Sequence, residues 1–132
     1  MAKAKTTSRL KKDLDSIFSR YIRLTYADAD GFVNCYTCPK RLFWKEIQNG
    51  HFISRGYLAT RFSEDNCRPQ CVGCNMFGGG KQVEFSRKLE LEKKGITLRL
   101  YREAQKTMKN FPYQEKLEFY KEKLKPFSHF LS

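Results

Sequence analysis

Long apolar runs are missing from this 132-residue chain, and histidine is nearly so: 2 residues, against 26 Lys and Arg. No stretch approaches the ~20 apolar residues that cross a bilayer, and the opening "MAKAKTTSRLKK" lacks the apolar centre of a signal peptide. The expected compartment is therefore the cytosol. Acidic side chains are also few, at 14, which leaves a formal charge of +12. Split along the chain, that charge is about +3 over residues 1–30, +3 over 31–80 and +6 over 81–132. A solvated lysine-rich surface would produce some of this. A charge so far from zero in so small a protein better fits a polyanionic partner, nucleic acid ahead of anionic membrane, because each phosphate neutralised releases a condensed counterion.

Aromatic residues, by contrast, make up 14% of the chain, which argues against disorder despite the high charge. The length fits a single domain over 1–132 that can bury roughly two-thirds of its unfolded surface. Helical spacing over 8–26 puts Leu10, Leu14, Ile17, Phe18, Tyr21 and Ile22 on one face, with Ser8 as N-cap. From 32 to 80 the texture changes. "FVNCY", "RLFWK" and "HFISRGYL" read as short strands, with Asn49-Gly50 as a turn ahead of His51. "SEDNCRPQ" reads as a polar loop. Gly78 to Gly80 read as a helix stop or a close approach to a ligand backbone; a phosphate loop is disfavoured, since no strand precedes them and no GK[ST] follows.

Residues 81–132 read as basic helices. "TLRLYREAQKTMKNF" aligns Tyr101, Ala104, Met108 and Phe111, and "PYQEKLEFYKEKLKP" aligns Tyr113, Leu117, Tyr120 and Leu124, stripes that suit a core. The apolar tail "FSHFLS" is expected to dock on a partner subunit, and its His129 has no companion residues that would make a site.

Five cysteines in a cytosolic chain point to metal binding or reactive thiols, not to disulfides. Cys35-Tyr-Thr-Cys38 and Cys71-Val-Gly-Cys74 form two CxxC pairs 32 residues apart. Two intervening residues let both thiolates of a pair reach one ion, and two pairs complete a tetrahedral S₄ site suited to Zn²⁺. Four buried free thiols are the alternative. Cys67, in "CRPQC", is a substitute ligand for Cys71 that the matched CxxC pairs argue against. A closed S₄ site has no open position for water, so its zinc would be structural and chemistry must lie elsewhere.

Between and beside the pairs stand "GHFISR", "NCRPQC" and "VGCN". With "CYTC" they resemble the HNH, or ββα-metal (His-Me finger), nucleases whose site is bracketed by two CxxC pairs. The match is closer to the phage NinG (Rap) recombination nucleases, over residues 14 to about 94. The zinc-bracketed layout is also similar to phage recombination endonuclease VII. The resemblance implies an α+β fold: a small ββα-metal core around a Cys₄ zinc site over 32–80, an N-terminal helix over 8–26 and C-terminal helices. It implies a DNA endonuclease that cuts branched recombination intermediates such as Holliday junctions and D-loops, acting in the bacterial host cytosol on DNA, with no small-molecule substrate. Two symmetric cuts imply a homodimer.

Roles follow by resemblance. His51 is the general base, Asn75 a ligand of a catalytic Mg²⁺ or Mn²⁺, Asn66 a brace for the loop and the His51 backbone, and Arg55 a partner for the scissile phosphate. Taken alone, His51 would more simply be a core histidine; its setting between the cysteine pairs, with Asn66 and Asn75, favours catalysis. Many HNH enzymes carry a metal-binding Asp just before this histidine, where Gly50 stands here. The acids open to that role are Glu46, Glu64, Asp65 and Glu84. Two other readings stay open: a zinc-ribbon-like DNA-binding module whose nuclease site has lapsed, and an HNH nicking nuclease without junction preference.

Overall fold

The computed structural model describes residues 4–131, a mixture of helices and two small sheets. Helix α1 (Thr7–Thr25) carries the predicted apolar stripe, with Leu14, Phe18 and Ile22 buried. Its cap is Thr6, not Ser8: Thr6 has extended backbone and its hydroxyl accepts from the Arg9 N–H at 3.1 Å. After α1, Asp28 turns the chain by accepting from the Asp30 and Phe32 N–H groups. Gly31, at φ 87°, completes the turn into the first hairpin.

That hairpin pairs β1 (Phe32–Asn34) with β2 (Arg41–Phe43), Val33 opposite Leu42. The second pairs β3 (Gln48–His51) with β4 (Cys67–Gln70), also antiparallel, with His51 opposite Cys67 and Gly50 opposite Arg68. Between β3 and β4 lies the short helix α2 (Leu58–Arg61). After β4, residues Gly73–Phe77 form a single π-helical turn. Helices α3 (Gln82–Glu92), α4 (Ile96–Ala104), α5 (Tyr113–Leu124) and the short α6 (Ser128–Leu131) follow.

Three expectations for the strands and helices are corrected. Asn49-Gly50 is no turn but the middle of β3, and "HFISRGYL" leaves strand geometry after His51. "CRPQ", read as polar loop, is a wholly buried strand. It can be buried because its polar groups have partners: Arg68 donates to Glu92 and to the carbonyls of Glu64 and Cys67, and the Pro69 carbonyl accepts from Tyr36 N–H at 2.8 Å. The helix expected to reach Phe111 stops at Ala104, and the chain reverses through Asn110 at φ 53°.

Three apolar clusters hold these elements together. Leu14, Phe18 and Ile22 of α1 pack on Leu117 and Tyr120 of α5, with Phe62 and Cys67. Phe52 and Ile53, just past β3, pack on Phe85, Leu89, Ile96 and Leu100 of α3 and α4. The third gathers Leu24, Val33, Trp44 and Ile47 around Cys35, Cys71 and Cys74. The tail expected to seek a partner subunit packs on its own chain: Phe127 and Phe130 lie against this third cluster. His129 is exposed beside the Phe130 ring. Among the described residues no helix is long and apolar enough to cross a membrane.

Candidate functional site

Cys35 and Cys38 sit on the turn after β1, Cys71 and Cys74 on the turn after β4. Their four sulfurs lie within 4.8 Å of one another, and Cys38 Sγ is 3.6 Å from Cys71 Sγ. A tetrahedral zinc with bonds of about 2.3 Å needs sulfurs about 3.8 Å apart. The cluster fits the ion, and none of the five cysteines is in a disulfide. Backbone N–H groups already point at the sulfurs: Cys71 N–H donates to Cys35 Sγ at 3.2 Å and Cys74 N–H to Cys71 Sγ at 3.5 Å. Burial raises the cost of a Cys35 thiolate, but hydrogen bonds from the Cys71 N–H, the Thr37 N–H and hydroxyl and the Cys38 thiol outweigh it and hold the thiol down at about 6. Burial pushes Cys74 up. Cys67 is elsewhere, fully buried in the α1–α5 cluster, where desolvation keeps its thiol protonated.

His51 ends β3, half-buried, with Nε2 2.8 Å from the Arg61 carbonyl at the end of α2. A carbonyl only accepts, so Nε2 carries the proton and the neutral ring's lone pair is on Nδ1. Burial pushes His51 below the usual 6.5, and the cations Arg55 and Arg61 act the same way against the raising influence of the Arg61 carbonyl and Asp15. At neutral pH this imidazole is uncharged and able to accept a proton.

His51, Arg55 and Asn75 line one groove, with Gln48, Asn49 and Met76 on one side and Lys12, Asp15 and Arg23 of α1 on the other. Asn75 stands on the π-helical turn directly after Cys74. Its Nδ2 donates to Gln48 Oε1 at 2.8 Å, which leaves its Oδ1 free as a hard donor for a cation. Asn66 lies behind the groove, fully buried. Its Oδ1 accepts from Ile53 N–H at 2.7 Å, and its Nδ2 donates to the carbonyls of Ile53 and Thr60, both at 3.1 Å. It clamps the chain leaving His51 onto α2.

Gly50 is explained by its neighbour. A Cβ there would sit 2.0 Å from Gln70 Oε1, and Gln70 is fully buried with Nε2 donating to Thr37 Oγ1 and the Gly80 carbonyl. Position 50 has no room for a carboxylate. None of the four alternative acids lines either hollow shared by His51 and Asn75. Glu64 accepts from Tyr120 OH at 3.0 Å, and Asp65 pairs with Arg99 at 2.6 Å. Glu46 is exposed, and Glu84 sits in the first turn of α3.

The acid that does line the groove is Asp15, which in the sequence reads as one more charge on the polar side of α1. It grips Arg61 with both oxygens, at 3.0 Å from Nε and 2.5 Å from a terminal nitrogen, and Arg55 adds a longer contact at 3.3 Å. Arg61 NH1 also donates to the Arg55 carbonyl at 2.9 Å. So Asp15 fixes Arg61, and the Arg61 carbonyl fixes His51. Nothing local in the sequence signals this chain, which joins residues 46 and 10 apart.

The family model described as bacteriophage lambda NinG protein matches residues 1–130. No curated protein and no solved structure matches the chain.

Three outcomes test this geometry. Cys74→Ser should lose bound zinc, read by mass spectrometry under native conditions, and with it the cooperative melting transition; a folded, zinc-free variant would contradict the structural role. Gly50→Asp should lower stability by at least about 1–3 kcal/mol in denaturant unfolding, because a side chain is forced against a pinned amide; unchanged stability would refute the Gln70 clash. In NMR titrations Arg55→Ala should raise the His51 pKa and Asp15→Asn should lower it further, whereas shifts of equal sign would show that His51 does not feel both groups.

Proposed function

The chain belongs to the bacteriophage lambda NinG family, and on that footing we propose that it is a metal-dependent endonuclease that hydrolyses phosphodiesters in branched recombination DNA, such as Holliday junctions and D-loops. What carries the reading is one groove holding a neutral His51, its Nε2 proton pinned by the Arg61 carbonyl, beside an Asn75 whose amide oxygen is free. The β3–β4 hairpin followed by the turn that bears Asn75 supports a ββα-metal core, with the cysteine cluster as its brace.

On this reading His51 Nδ1 accepts the proton of the water that attacks phosphorus. Arg55, exposed at the groove and only loosely held by Asp15, turns to the scissile phosphate. Asn75 Oδ1 would hold a divalent cation, Mg²⁺ or Mn²⁺, hard ions suited to an amide oxygen. The cation's contribution is to polarise the phosphate and stabilise the leaving 3′ oxygen. Asn66 keeps the loop after His51 in place. Lys12, Arg23 and the basic helices of 81–132 hold flanking backbone. The chain then works as one domain in the host cytosol, and a homodimer supplies the two symmetric cuts that resolving a junction requires.

His51→Ala should cut a four-way junction roughly 10²- to 10⁴-fold more slowly in Mg²⁺ or Mn²⁺, the range for loss of a general base, with junction binding and melting near the parent's. A parent protein that binds but never cuts with any divalent ion would make the chain a DNA-binding module instead. Linear duplex cut as fast as the junction would remove the branch preference.

A further inference from the structure

Phe77 is the most exposed large apolar side chain among the described residues, with 86% of its surface open to solvent. It stands two residues past Asn75, at the end of the same π-helical turn, and its neighbour Met76, 62% exposed, lines the groove with His51. Such a ring contributes almost nothing to the core. A single exposed apolar residue needs no explanation, but the backbone that presents this one is unusually well held. Asn75 N–H donates to the Cys71 carbonyl, Gly78 N–H to the Gly73 carbonyl at 2.7 Å and Gly80 N–H to the Cys74 carbonyl at 2.9 Å, while buried Gln70 grips the Gly80 carbonyl. Gly79 and Gly80, at φ 64° and 85°, let the chain fold back tightly enough to make those bonds. The backbone that carries the ring is thus tied to the cysteine cluster, and the ring is exposed one residue past Met76, which lines a groove with Lys12, Arg23 and Arg55 as well as Asp15.

Cationic lining selects a polyanion, and an exposed ring carried next in the chain to the groove-lining Met76 selects one with flat π-faces. Nucleic acid has both, but within an intact duplex the base faces are already stacked. They are exposed at a branch point. Resting on the nuclease reading, we propose that Phe77 is a stacking platform for a nucleobase unstacked at a DNA branch, seating the branch beside His51 and so favouring branched over linear substrate.

The test compares the full-length protein with Phe77→Ala and Phe77→Trp on a four-way junction carrying 2-aminopurine at the branch, and on a linear duplex of matched sequence, in Ca²⁺ buffer. Melting should be unchanged, since the ring is exposed. Phe77→Ala should weaken junction binding roughly 5- to 150-fold, the range for loss of one stacked base. It should also abolish the 2-aminopurine fluorescence change and leave duplex affinity and its salt dependence as they were, whereas Phe77→Trp should retain the parent's behaviour. Junction affinity unaffected by Phe77→Ala, or duplex affinity lost in equal measure, would overturn the proposal, as would a shift from dimer to monomer in light scattering, which would assign the ring to a second copy. Fluorescence reports stacking without cleavage, so a parent protein that stacks but does not cut in Mg²⁺ would sink the nuclease reading alone, and one that cuts junctions regardless of residue 77 would sink this inference alone.

Discussion

Four cysteine sulfurs gathered within 4.8 Å tie the turn after β1 to the turn after β4, and most of what surrounds the groove depends on that tie. The strands it joins are three and four residues long, in two separate two-stranded sheets. Isolated hairpins of that size are marginal in water. A structural zinc can contribute on the order of 10–16 kcal/mol of folding free energy, enough to hold such pieces in register. The cluster also sets the groove's geometry directly. Asn75 follows Cys74, its own N–H donates to the Cys71 carbonyl, and Gly80 N–H closes the following loop onto the Cys74 carbonyl.

The opposite wall is set by a different device. His51 is reached from α1 through Asp15, the Arg61 guanidinium and the Arg61 carbonyl. Each link has one role. The carboxylate fixes the arginine, the carbonyl fixes the tautomer, and burial with two nearby cations keeps the ring neutral. Because the folded-state pKa lies below 6.5, the unfolded chain binds the proton more readily. His51 therefore costs stability as pH falls through that window, and costs nothing above it. A neutral histidine and stability at neutral pH are the same arrangement seen from two sides.

The parts legible in the sequence were those that local pattern determines. The two CxxC spacings led to the cluster, and the apolar stripe of 8–26 to α1. Asn66 could be read only as a brace, yet its three hydrogen bonds to Ile53 and Thr60 do that work. What stayed hidden depends on contacts between distant residues. "CRPQ" looks like a loop until Glu92 and the Glu64 carbonyl take up the Arg68 guanidinium. Gly50 looks like a turn residue or a missing ligand until Gln70, 20 positions on, occupies the space where its side chain would be. Asp15 differs in nothing from its solvated neighbours until α1 is laid against β3 and α2.

At the centre of the proposed function is a cation site on Asn75 beside a neutral His51, with no acid at position 50. A crystal structure of the protein soaked in Mn²⁺, read by anomalous scattering, tests it most directly. The account predicts a peak in the groove, within bonding distance of Asn75 Oδ1 and with His51 Nδ1 facing its water shell. A peak on Glu64 or Asp65, with none in the groove, would contradict it.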